Sequence, residues 1–262
     1  QLEQDEARRL FDVAEGAKVV SLFPGSRKYE IKYVLPFLLR VAEQISSGKE
    51  GIQTIISCSP FMNLDVLAKE IESKQVESLR KYLDGASGKL EKGGKWPLIV
   101  TEKGLKVPVV SGIQYDLMNI SDLALASPGT TTAELAALGV PMIVAAPLNR
   151  PEEIAIDGIM NYVGKIPIIG RKLKRNAVFN YAKKIKYIAI PNKKADKYLV
   201  PEFVGVLDPP DIAYRAIEML NDGSGRRKTS EALKNVMGKE GAAGRAAEII
   251  LKTAREVGVQ NE

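Results

Sequence analysis

Through the first 145 residues, short uninterrupted apolar runs alternate with amphipathic stretches long enough to be helices. Few folds accept that order. Strand-length runs are read at residues 18–23, 53–57, 97–100, 107–111, 123–126 and 142–145, and helices at about 28–47, 64–83, 115–120 and 131–138. A strand covered by helices on both faces has no polar side to show, so it is apolar throughout; Ile143, Val144, Ala145 and Ala146 fit that description. The expected fold is α/β, a Rossmann-like parallel sheet flanked by helices.

The pattern then changes. Between Pro147 and Leu207 long apolar runs are few, and prolines recur at 147, 151, 167, 191 and 201. From Asp211 onward the periodicity is helical, with a break at residues 223–225 and a last helix near 241–257. Residues 85–95, rich in glycine and lysine, read as a flexible surface loop. The chain is therefore divided into a leading helix at 1–16, a main domain at 17–222 and C-terminal helices at 223–262. Residues 1–15 hold no strand and read as a helix leading in from a preceding domain.

Composition removes several chemistries. There is no histidine, which excludes a Ser-His-Asp triad and histidine-based metal sites and removes the commonest general base near neutral pH. The single cysteine, Cys58, lies in an apolar run, as expected of a small buried hydrophobe. With so few ligands no metal site is expected, and a lone thiol fits a reducing compartment. No run approaches the ~20 apolar residues that span a bilayer, and the charged first 18 residues do not resemble a signal peptide. A cytoplasmic protein is expected.

Two segments carry the chemistry. Pro24-Gly25-Ser26-Arg27 joins the first strand to the first helix. Gly25 allows a sharp turn, Ser26 is placed to cap the helix, and the free amides of a helix start favour an anion, with Arg27 as a phosphate partner. An ordinary turn with an exposed arginine reads equally from these residues. The second segment, Ser127-Pro128-Gly129-Thr130-Thr131-Thr132-Ala133-Glu134, again ends a buried strand and opens a helix. Its glycine and three threonine hydroxyls offer donors to phosphate oxygens. Glu134 is spaced either to accept hydrogen bonds from ribose hydroxyls or to complete a capping box with Thr131. Ligands of open parallel sheets bind at the carboxyl ends of strands, where both segments fall.

These turns, together with Gly139-Val140-Pro141-Met142, Tyr187 to Asn192 and Leu199-Val200-Pro201-Glu202, resemble the C-terminal domain of lipid-A-disaccharide synthase. The resemblance runs from about residue 18 to 220. One departure is Pro128, which intervenes where the family's loop reads Ser-Gly-Thr. The resemblance implies the C-terminal, nucleotide-sugar-binding half of a GT-B glycosyltransferase, holding a UDP-sugar and serving a lipid-linked, glycolipid-type acceptor. It implies that Gly25, Ser26 and Arg27 meet the diphosphate, that Ser127 and Gly129 to Thr132 (Gly129, Thr130, Thr131, Thr132) hold the phosphates, that Glu134 holds the ribose, and that Asn192 lies near the cleft. It implies no metal or other cofactor. The catalytic base is expected in a preceding acceptor domain, so this half binds nucleotide but does not turn over alone. Two other readings stand beside it: a sugar-nucleotide epimerase of the same fold, and a noncatalytic nucleotide-binding or membrane-docking module.

Charge is concentrated. Between Lys165 and Lys197 there are eleven basic residues and one acid, a local +10 in a chain of net +6. Such a segment reads as a solvated face or as an attraction to anionic lipid headgroups, each cation near such a surface contributing about 1 kcal/mol. The second reading places the protein peripherally at the inner face of the membrane. No nucleic-acid motif accompanies the charge, and self-association is compatible with the sequence.

Overall fold

The structure, a computed structural model, describes residues 2–27, 29–60, 62–72, 83–149, 169–238 and 241–259. Its order is α1 (Gln4–Leu10), β1 (Lys18–Phe23), a π-helical turn (Glu30–Val34) continuing into α2 (Leu35–Gly48), β2 (Ile52–Cys58), α3 (Leu64–Ile71), β3 (Gly88–Glu91), β4 (Leu98–Thr101), β5 (Lys106–Ser111), α4 (Gln114–Ile120), β6 (Leu123–Ala126), α5 (Thr131–Ala137), β7 (Met142–Pro147), α6 (Ile169–Lys184), α7 (Ile190–Ala195), β8 (Glu202–Gly205), α8 (Pro209–Asn221), α9 (Gly223–Met237) and α10 (Ala242–Val259). The second half of the helix expected at 64–83 lies outside the described residues.

The strands form one sheet in the order β3-β4-β5-β2-β1-β6-β7-β8. From β5 to β8 every pairing is parallel, and α-helical crossovers cover both faces. The alternation along β1 shows why its sequence is apolar throughout. Val20 and Leu22 enter the core under α2 and α8, while Val19 and Phe23 enter the opposite core with residues of α1, α4 and α5. The polar residue of the strand's buried run 19–23, Ser21, is fully buried and takes a hydrogen bond from the Ser121 hydroxyl at 2.7 Å. A buried hydroxyl left without a partner would cost more than it contributes.

The expected α/β sheet flanked by helices is present, and it carries β3 and β4 as an antiparallel arm on β5. Residues 85–95 are not simply a loop, because β3 lies within them. Gly88 explains the strand: a Cβ there would stand 2.8 Å from the Val100 carbonyl, so only glycine lets the two backbones approach. The proline-spaced region likewise contains α6, α7 and the edge strand β8, none of which was expected. At the other end of the chain, α1 is docked on α4 by Leu2 N–H to Asp116 (2.7 Å) and by the Asn119 amide to the Leu2 carbonyl (3.0 Å).

Among the described residues no helix is long and apolar enough to cross a membrane, and no group of three or more carboxylate or thiol side chains is placed to hold a metal ion.

Candidate functional site

The chain leaves β1 to one side for β2 and returns on the other side as β6, so the order reverses between β1 and β6. In open α/β sheets that reversal opens a crevice at the strands' carboxyl ends. The register sets the two turns side by side: Phe23 pairs with Ala126, and Ser127 N–H donates to the Phe23 carbonyl at 3.0 Å. Between them lies a cleft of about 590 Å³, within the range of small-molecule sites. Gly25, Ser26 and Arg27 form one wall, and Ser127, Gly129, Thr130, Thr131 and Glu134 form the other. Eight of the ten residues singled out in the sequence thus meet in one place.

The remaining two do not line it. Thr132 is fully buried; its hydroxyl donates to the Gly129 carbonyl (2.8 Å) and accepts from Ile190 N–H (3.1 Å). That side chain shapes the turn and ties it to α7. Asn192 is also fully buried. Its amide nitrogen donates to the Val200 carbonyl and to Glu202, each at 2.8 Å, and its oxygen accepts from Leu199 N–H (2.7 Å) and Val200 N–H (3.0 Å). Glu202 further accepts from Ile188 and Ala189 N–H. The two segments around Asn192 and Glu202 are stitched together behind the second turn, and no polar atom of the Asn192 side chain is left for a ligand.

Both capping expectations are corrected. Ser26 does not cap the first helix through its hydroxyl. Instead the Glu30 carboxylate reaches back to accept from the Ser26 and Arg27 amides, each at 2.7 Å. The Thr131–Glu134 capping box is not formed, since the residue before α5 makes no side-chain cap. Glu134 is engaged by Tyr115, whose hydroxyl donates to its Oε1 at 3.1 Å. The facing carboxylate raises the Tyr115 pKa above the usual phenol range, so the hydroxyl remains a donor.

Glu30 and Tyr115 were missed in the sequence, as was the third side of the cleft, formed by residues 57–60 after β2. Arg27 and Glu30 carry the three-residue separation of a reach-back cap, a signal that was available. Tyr115 carried none, because it meets Glu134 only through the sheet order. Cys58 borders the cleft but is buried, and burial pushes its pKa up to about 12. The thiol therefore stays protonated and is no nucleophile at neutral pH. A second hollow, about 390 Å³, opens at the opposite, amino-terminal end of β6 and β7 beside Gly139, Arg226 and Lys234. There Arg226 is held by the carbonyls of Met219 and Leu220, each at 2.6 Å, which caps α8.

The chain is similar to lipid-A-disaccharide synthases over nearly its whole length. It is 27% identical over 253 residues to the Geobacter sulfurreducens protein of that name, covering 95% of this chain and 52% of that one. The Nitrosococcus oceani protein is 28% identical over 228 residues, covering 86% and 45%. The chain thus spans about half the length of these relatives. Among solved structures, a putative UDP-N-acetylglucosamine 2-epimerase from Listeria monocytogenes matches with a TM-score of 0.49 at 12% identity, covering 98% of this chain and 49% of that one. No family model matches the sequence.

Proposed function

We propose that this chain is the donor-binding half of a GT-B glycosyltransferase similar to lipid-A-disaccharide synthase, and that a UDP-sugar occupies the cleft between the β1 and β6 turns. The observation that carries this reading is the convergence of the two turns on one cleft at the reversal of the sheet. The diphosphate lies between Ser26–Arg27 and Gly129–Thr131, where backbone amides, threonine hydroxyls and the Arg27 guanidinium supply donors. Glu134, steadied by Tyr115, accepts from the ribose hydroxyls. When an acceptor hydroxyl attacks the anomeric carbon, the same donors stabilise the negative charge that grows on the departing UDP.

The acceptor site and the base that takes the hydroxyl proton belong to a facing domain supplied by the rest of the full-length protein. The half described here therefore binds without turnover. The exposed cations of α6 and α7, Lys183, Lys184, Lys193 and Lys194, face an anionic membrane surface from which a lipid-linked acceptor is presented.

Calorimetric titration with UDP, using UMP, ADP and GDP as controls, tests the reading. Selective UDP binding is expected, weakened about tenfold in Arg27→Ala, the scale of one charge-assisted contact. Equal affinity of Arg27→Ala and wild type would remove Arg27 from the phosphate site. Absence of nucleotide binding by both this chain and the full-length protein would sink the proposal.

A further inference from the structure

We infer that Glu30 is an internal occupant of the phosphate cradle and that its carboxylate must leave the Ser26 and Arg27 amides before a diphosphate can bind; this rests on the donor-site reading above. A single oxygen of Glu30, Oε2, accepts from both consecutive amides at 2.7 Å, while Oε1 lies 3.5 Å from the Arg27 guanidinium. Two adjacent amides and a guanidinium converging on one anion are the donor set that a phosphate oxygen seeks at a helix start. Gly25 makes room for it. Its φ is +102°, and a Cβ at that position would overlap the Glu30 carboxylate.

Charge excludes shared occupancy. Among the described residues lining the cleft, Arg27 is the one cation, and Glu30 and Glu134 are the carboxylates. An arriving diphosphate and Glu30 compete for the same two N–H groups and repel each other across them. The side chain that must move is 13% exposed, whereas the Arg27 side chain is 79% exposed and free to follow a new anion. Glu30 also opens the π-helical turn Glu30–Val34, a form found mostly as single turns and frequently at functional sites. Diphosphate binding is thus an exchange of one anion for another, and a nucleoside without phosphate leaves Glu30 in place.

The experiment titrates inorganic pyrophosphate, UDP and uridine into the wild type, Glu30→Gln and Glu30→Asp, with thermal unfolding of each followed in parallel. Glu30→Gln removes the competing charge at nearly constant shape, while Glu30→Asp keeps the charge on a side chain too short to hold both amides. Pyrophosphate and UDP are expected to bind Glu30→Gln about tenfold tighter than wild type, with Glu30→Asp between them and uridine unchanged. A folded Glu30→Gln that binds pyrophosphate and UDP no tighter than wild type overturns the inference, because Glu30 is then only a helix cap; UDP binding by the wild type in that case leaves the donor-site reading standing. Absence of UDP and pyrophosphate binding by both this chain and the full-length protein overturns both. Should the variants not fold, the carboxyl carbon resonance of Glu30 in the wild type decides: movement toward the value of a solvated carboxylate on adding pyrophosphate supports displacement, and an unmoved resonance at saturation overturns it.

Discussion

The β1 and β6 turns share one grammar and are finished differently. Each leaves a buried parallel strand, passes a glycine with positive φ (+102° at Gly25, +156° at Gly129) and enters a helix through hydroxyl-bearing residues. The β1 turn closes on itself, its amides taken by the Glu30 carboxylate. The β6 turn is secured from behind, by a buried Thr132 and the Asn192–Glu202 stitching, and its front hydroxyls stay open to the cleft. A glycine-and-hydroxyl turn therefore does not by itself say whether its donors are open to the cleft. What decides that is a side chain further along the helix.

Six substitutions break or sharpen the contrast. The largest effect is expected from Asn192→Ala, which leaves the Leu199 and Val200 amides without their side-chain acceptor and takes one of two donors from Glu202 Oε1. Urea unfolding should show a loss of about 3 kcal/mol, with the UDP affinity of the folded fraction unchanged. A large drop in affinity at near-normal stability would instead make Asn192 a ligand contact. Next comes the glycine pair. Gly25→Ala adds strain at positive φ and a collision with Glu30, and should cost about 2 kcal/mol; Gly129→Ala meets nothing within 4 Å and should cost about 1 kcal/mol from backbone strain alone. Equal costs would mean that Glu30 yields freely.

Thr132→Val keeps the shape and removes the hydroxyl that bridges Gly129 and Ile190, for a loss of about 1 kcal/mol in thermal or denaturant unfolding. Thr131→Val, at the cleft, should leave stability within about 0.5 kcal/mol and weaken UDP binding instead. The smallest effect is Tyr115→Phe, expected to weaken UDP binding about threefold with no change in stability. The sign with pH follows from the raised Tyr115 pKa: the neutral phenol persists above the usual tyrosine range, so its contribution to binding holds through that range and disappears only at higher pH. The phenylalanine variant should lack that alkaline loss, as read from UDP affinity against pH.

The central strands were legible because burial on both faces keeps most of their residues apolar, so each run stands out from its surroundings. All six expected strands are present in β1, β2 and β4–β7 with bounds shifted by at most two residues. The edges were not legible for the opposite reason. β8 is four residues long and only partly buried, and β3 sits among glycines and lysines that mark a loop in any local reading. Much of the cleft was legible, since glycines and hydroxyls at strand ends are local signals. Tyr115 was not, because it lies nineteen residues from Glu134 and meets it only when β5 and β6 have found their places in the sheet. Asn192 came from family resemblance, which identifies a position without distinguishing a ligand contact from the buried amide behind it.

The most direct test of the account is amide chemical-shift mapping of this chain on addition of UDP. The account predicts that shifts concentrate at Gly25, Ser26, Arg27, Gly129, Thr130 and Thr131, while Gly139 and Arg226 at the opposite end of the strands remain still. Shifts confined to the Gly139–Arg226 hollow, with the two turns unmoved at saturating UDP, would contradict it.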